Sequence, residues 1–93
     1  MRAHKVDANQ KEIVETLRRL GCSVAITSAS GEGFPDIVVG YKGINYLVEI
    51  KDGSRIPSQR RLTPDQVTFH DNWKGQIKVV ESVNDAINLL RGV

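Results

Sequence analysis

The stretch GFPDIVVGYKGINYLVEIKDG, residues 33–53, constrains the fold more than any other part of the chain. Two apolar, β-branched runs, DIVVGY and INYLVEIK, are separated only by Lys42 and Gly43, so they read as antiparallel strands joined by a two-residue hairpin turn. Alternation along the second run puts Asn45, Leu47, Glu49 and Lys51 on one face and Tyr46, Val48 and Ile50 on the other. A turn at Lys42 and Gly43 sets Asp36 directly opposite Glu49, pointing the same way. A turn at Tyr41 and Lys42 keeps Asp36 on that face, because slipping both positions preserves parity.

Charged groups inside apolar strands are costly to bury, and two carboxylates side by side repel unless a cation sits between them. Hard oxygen ligands on a rigid strand pair suit Mg²⁺ or Mn²⁺. The ammonium of Lys51 then stands where it can orient or help deprotonate a water, or offset charge building on a phosphate. The same residues also admit a plain strand face on which Glu49 and Lys51 form a salt bridge.

The remaining segments supply the frame. NQKEIVETLRRLG spaces Ile13, Val14, Leu17 and Leu20 as one helical face and closes on Gly21. CSVAITS is a first strand, and ASGEGFP a turn-rich loop. DGSRIPSQRRL is a polar, basic loop without periodicity. TPDQVTFHDNW is a second helix, with Thr63 as N-cap, Pro64 at the first position and Gln66 completing a capping box. QIKVVE is a fourth strand and SVNDAINLLRG a last helix, capped by Ser82 and burying Val83, Ala86, Ile87 and Leu90. The order α-β-β-β-α-β-α predicts an α/β fold, a mixed central sheet of about four strands flanked by helices, whose apolar strands need cover on both faces. A chain of 93 residues buries only about 60% of its unfolded surface, so residues 1–93 are expected to form one domain. A single cysteine, Cys22, excludes an internal disulfide framework or a thiolate zinc site and reads as a small buried residue. With no signal-peptide pattern and no apolar run near the 18 or so residues of a membrane span, the expectation is a cytoplasmic protein away from membranes.

On a helical wheel Gln10 falls inside the Ile13, Val14, Leu17 and Leu20 stripe, while Glu12 and Glu15 face away. Gln66 shares an inward stripe with Phe69, His70 and Trp73, and is equally readable as a capping residue; His70 reads as a packed core histidine. Arg55, Arg60 and Arg61 follow Lys51 closely, Arg2 and Lys5 form a second basic cluster, and Arg18 and Arg19 a third. A net charge of +2 permits a nucleic-acid partner without demanding one. Basic side chains beside a phosphate-cleaving constellation favour backbone contacts, which fix position without reading sequence.

GFPDIVV followed by YLVEIKDG resembles the restriction-endonuclease-like core of the PD-(D/E)xK nuclease superfamily. With DANQKEIVETLRRLG and the helix carrying Gln66, the chain resembles more narrowly the VRR-NUC (virus-type replication-repair nuclease) family, in its small standalone phage-like form, over nearly its whole length. The resemblance implies that Asp36, Glu49 and the backbone carbonyl of Ile50 bind Mg²⁺ or Mn²⁺, that Lys51 is catalytic, and that Gln66 stands near the metal. Related resolvases carry a catalytic Glu where this chain has Gln10, so Gln10 is expected to hold a water at the ion. Lys51, Arg55, Arg60, Arg61, Lys5 and Arg2 are the expected nucleic-acid contacts. The implied function is a divalent-metal-dependent, structure-specific DNA endonuclease acting on branched DNA as a homodimer, in the manner of a Holliday junction resolvase in DNA repair, in a bacterial or phage-infected cell. The alternative is a nucleic-acid-binding module of the same fold whose cleavage is weak or lost.

Overall fold

Lys42 and Gly43 both have positive φ, 50° and 79°, the backbone hand a two-residue hairpin turn requires. They join β2 (Ile37–Tyr41) to β3 (Ile44–Ile50) with Tyr41 opposite Ile44 and Ile37 opposite Val48. One step further along this register, Asp36 faces Glu49, as the two-residue turn predicts. The computed structural model describes residues 7–92, so Arg2 and Lys5 lie outside the described residues.

The other elements are α1 (Gln10–Arg19), β1 (Ser23–Ile26), α2 (Pro64–Asn72), β4 (Ile77–Val80) and α3 (Val83–Arg91). A single 3-10 turn at Pro57–Gln59 interrupts the basic loop after β3. The sheet order is β1-β2-β3-β4, antiparallel except for the parallel β3–β4 pair, so the fold is α/β with a mixed four-stranded sheet. No helix among the described residues is long and apolar enough to cross a membrane.

Each helix ends where its sequence dictates. Gly21 closes α1 with φ 96°, while its N–H bonds the Arg18 carbonyl and the Cys22 N–H reaches back to Leu17, the paired bonds of a left-handed helix stop. Leu20 therefore sits beyond the last turn and is 46% exposed, although its spacing placed it with the core stripe. The Thr63 hydroxyl accepts from the Gln66 N–H and the Gln66 side chain accepts from the Thr63 N–H, completing the capping box of α2. Ser82 caps α3 through the Asp85 N–H.

One face of the sheet carries Ile37, Val39, Tyr46, Val48, Ile50 and Val80 into a core closed by Ile13, Val14 and Leu17 of α1 and Ala86 and Leu90 of α3. The expected cover of both faces is only partly realised. On the opposite face α2 reaches the sheet through Gln66, at Glu49 and Lys51, while Ala25 of β1 and Val79 of β4 remain exposed. The Glu32–Gly33 turn holds α2 in place, because a side chain on Gly33 (φ 79°) would run into the Asp65 carbonyl in the first turn of α2. Gly33→Ala should therefore cost about 2 kcal/mol or more in chemical denaturation, combining a left-handed backbone with a backbone collision that no rotamer relieves.

Candidate active site

Four polar side chains meet under the start of α2, all of them buried: Asp36 (4% exposed), Glu49 (2%), Lys51 (9%) and Gln66 (7%). Three come from the paired strands and their immediate ends, and the fourth from the first turn of the helix. Asp36 is held by its flanks: the Thr27 N–H donates to its carbonyl (2.8 Å), and the Thr27 hydroxyl donates to the carbonyl of Pro35 (2.8 Å). Its carboxylate accepts from the Ile50 N–H (2.8 Å), which bolts the head of β2 to the end of β3.

Gln66 connects the rest. Its Oε1 accepts from Lys51 Nζ (2.9 Å) and from the Thr63 N–H (2.9 Å), while its Nε2 donates to Glu49 Oε2 (2.9 Å). Capping and site contact, which the sequence leaves as rival uses of this amide, are made at once. Lys51 Nζ also lies 3.6 Å from Glu49 Oε2. Burial first, then the neighbouring charge of Asp36 and a hydrogen bond shared with it, push the Glu49 carboxyl up to about 8; Lys51 only partly offsets them.

Glu49 Oε1 is buried without a donor. An orphaned carboxylate oxygen beside a second carboxylate is what a hard divalent cation satisfies, so the donor set of Asp36 and Glu49 fits Mg²⁺ or Mn²⁺. Among the described residues no three His, Cys, Asp or Glu side chains converge. Mg²⁺ is usually held by one or two carboxylates while water and substrate phosphates fill its other positions. Ile50 is placed beside this pair by the bond from its N–H to Asp36.

Gln10 is buried, as its wheel position predicts, but it faces Ser28: the Ser28 hydroxyl bonds Gln10 Oε1 (3.1 Å) and the Asp36 carbonyl (3.3 Å). Gln10 thus touches the backbone of Asp36 through one intermediary. The residue that sequence reasoning passes over is Asp7. The Asn9 side chain, at the N-cap of α1, donates to the carbonyls of Lys51 (3.1 Å) and Glu81 (3.2 Å), and so pins the helix start to the end of β3. Asp7 sits half-buried one turn before Gln10. Burial raises its carboxyl, and the charges of Lys51, Asp36, Asp52 and Arg55 all act on it. The only sequence signal for it was an acidic residue just ahead of an inward-facing helix start.

His70 follows Gln66 by one turn, half-buried, with Nε2 enclosed and lacking a partner; burial lowers its pKa, favouring the neutral ring. The arginines after Lys51 are engaged locally. Arg55 pairs with Asp52 (3.8 Å), Arg60 pairs with Glu81 (3.2 Å) and donates to the Arg55 carbonyl (2.7 Å), and Arg61 is exposed. Arg18 is bonded to the Val24 carbonyl.

The raised Glu49 carboxyl makes the metal-free fold pH-sensitive. Between about pH 4.5, the ordinary value, and about 8, the folded state keeps a proton that the unfolded chain has lost. Stability is then greatest below that window and falls as pH rises through it, by roughly a few kcal/mol. Melting temperatures of chelator-treated protein should decline across this range, and Glu49→Gln should flatten the decline. Added Mn²⁺ should raise the wild-type melting temperature most at the alkaline end, where binding no longer has to displace the proton.

No protein-family model matches the chain, and no curated protein sequence does. Among solved structures, one described as a VRR_NUC domain superposes with a TM-score of 0.66 and 28% identity, over 88% of this chain and 89% of that one. That likeness spans most of both chains, and it supports the reading of this chain as a nuclease-family domain of the VRR-NUC type.

Proposed function

We propose that this protein is a divalent-metal-dependent, structure-specific DNA endonuclease that hydrolyses phosphodiester bonds, working as a homodimer on branched DNA like a Holliday junction resolvase. The observation that carries the reading is the buried Asp36 and Glu49 pair, with one carboxylate oxygen lacking a donor and the Lys51 ammonium alongside. A purely structural strand would gain nothing from enclosing such a group.

Asp36, Glu49 and the Ile50 carbonyl would hold Mg²⁺ or Mn²⁺, which when bound supplies charge neutralisation at the phosphate and acidifies water. Lys51 stabilises charge that develops on the phosphate oxygens. Gln66 orients Lys51 and Glu49 together, holding the ammonium with its amide oxygen and the carboxylate with its amide nitrogen. Gln10, through Ser28, sets the backbone on which Asp36 rides. Asp7 supplies a further negative charge toward the ion and its hydration shell. Arg55, Arg60 and Arg61 meet the DNA backbone, with phosphates displacing the Asp52 and Glu81 carboxylates from the first two; Lys5 and Arg2, by their charge, are further backbone contacts in this reading. One site this small reaches one strand at a time, so coordinated cutting of two strands calls for two copies.

A binding module without cleavage is the second reading. It is favoured by Gln10, which brings an uncharged amide, tied to Ser28, where related resolvases place a Glu. Labelled four-way junction, flap, duplex and single-stranded DNA incubated with Mg²⁺ or Mn²⁺ separate the two: nicking of the branched substrates supports the endonuclease, and tight binding without nicking supports the module. Asp36→Asn should lower cleavage by about 10²-fold or more while folding and junction affinity persist, and Lys51→Ala should lower cleavage at least as much. Asp7→Asn should weaken Mn²⁺ binding about 10-fold, read by water-proton relaxation independently of turnover.

A further inference from the structure

α2 builds a second feature beside the carboxylates. Phe34, two residues before Asp36, meets Phe69 edge to face (centroids 5.2 Å apart, planes at 72°), and Phe69 stacks on Trp73 (5.4 Å, 15°). Trp73 keeps 41% of its surface exposed. The pair lines an open cleft of about 400 Å³ with Glu32, Asp65, Thr68 and Asn72. Chain order keeps this cleft within a turn of the candidate active site, because Asp65 precedes Gln66 and Phe69 follows it by three residues.

We propose that the cleft binds a nucleobase unstacked from DNA and holds it beside the phosphate presented to Asp36 and Glu49. The identification as DNA rests on the nuclease reading; the choice of base over backbone rests on the cleft itself. Carboxylates at Glu32 and Asp65 repel phosphate but accept hydrogen bonds from exocyclic amines and ring N–H groups of a base. Two near-parallel rings ending in a half-exposed indole extend naturally to a third flat ring. The lining thus complements the base edge in charge and the base face in shape. It also explains how an enzyme could favour branched DNA without a base-reading helix: junctions and flaps release unpaired bases, and paired duplex does not. An amine-bearing base (cytosine, adenine or guanine) is favoured over thymine.

Trp73 is the only tryptophan, so its emission reports occupancy of the cleft directly. The Asp36→Asn protein, which leaves the DNA intact, would be titrated with a flap carrying unpaired cytosines, the same flap with abasic sites there, and a fully paired duplex. Base-dependent quenching with the first, lost with the second and absent with the third, is the expected result. Because both variants lack the indole reporter, their affinities are read by fluorescence anisotropy of a dye-labelled flap: Trp73→Ala should lose about 10-fold in affinity for the cytosine flap, and Trp73→Phe should retain most of it. If Trp73→Ala does not fold, the abasic comparison alone decides. Equal quenching by abasic and intact flaps overturns the proposal. So does an emission change that depends on protein concentration without DNA, which would give the cleft to a second copy. Cleavage by the wild-type protein is followed in parallel: cleavage without base-dependent quenching removes only the base site, whereas base-dependent quenching without cleavage removes the nuclease reading and leaves the base site standing.

Discussion

A glutamate enclosed on a central strand is the constraint around which the rest of this structure is arranged. Taking the Glu49 carboxylate out of water costs several kcal/mol unless partners compensate. The fold provides Lys51 two residues along the same strand face, the Gln66 amide, and the Asp36 carboxyl with which to share a proton. None of these fully satisfies the group, since one oxygen still lacks a donor. A small protein of ordinary composition gains no stability from that arrangement. It is intelligible as a site held ready for a cation, with the proton occupying the cation's electrostatic role until it arrives.

The two faces of the sheet divide the work. The face toward α1 and α3 is conventional: Ile37, Val39, Val48 and Ile50 are fully enclosed and pack against Ile13 and Leu17. The opposite face is held by polar contacts, with Gln66 the only buried residue of α2. One hydrogen bond, from the Ile50 N–H to the Asp36 carboxylate, ties the two arrangements together, because Ile50 sends its side chain into the core and its amide to the site. Changes in core packing would therefore be felt as displacement of Asp36.

Much of this was legible in the chain, for reasons of period and parity. A two-residue turn at Lys42 and Gly43 leaves a single pairing that matches both apolar runs, and the face shared by Asp36, Glu49 and Lys51 follows from counting by twos. The Thr63 and Gln66 spacing announces a capping box, and Gly21 a helix stop. What escaped was set by contacts between distant segments. Asp7 lies before the first periodic residue, and the neighbouring Asn9 bonds to Lys51 and Glu81, 42 and 72 positions away, pin its segment to the end of β3. The pairing of Arg60 with Glu81 crosses 21 positions from a loop with no period at all. The aromatic stack joins Phe34 to Phe69 across two strands and a loop, and no local spacing encodes that meeting.

The position of α2 follows from this division and bears on how the site works. A helix with one buried side chain, and that one an amide, is fastened by directional bonds rather than by apolar area; elements held this way lie at the low-stability end of a fold. Its fastenings are few: the amide network at Gln66, the edge-to-face contact of Phe34 with Phe69, and the close approach of Gly33 to Asp65. Each of them also touches a candidate functional element, so a substrate that engages the carboxylates acts on the same bonds that seat the helix. Occupancy of the site and order in α2 are then one equilibrium, and a ligand that completes the coordination around Glu49 stabilises the helix by as much as the seated helix strengthens the ligand's binding.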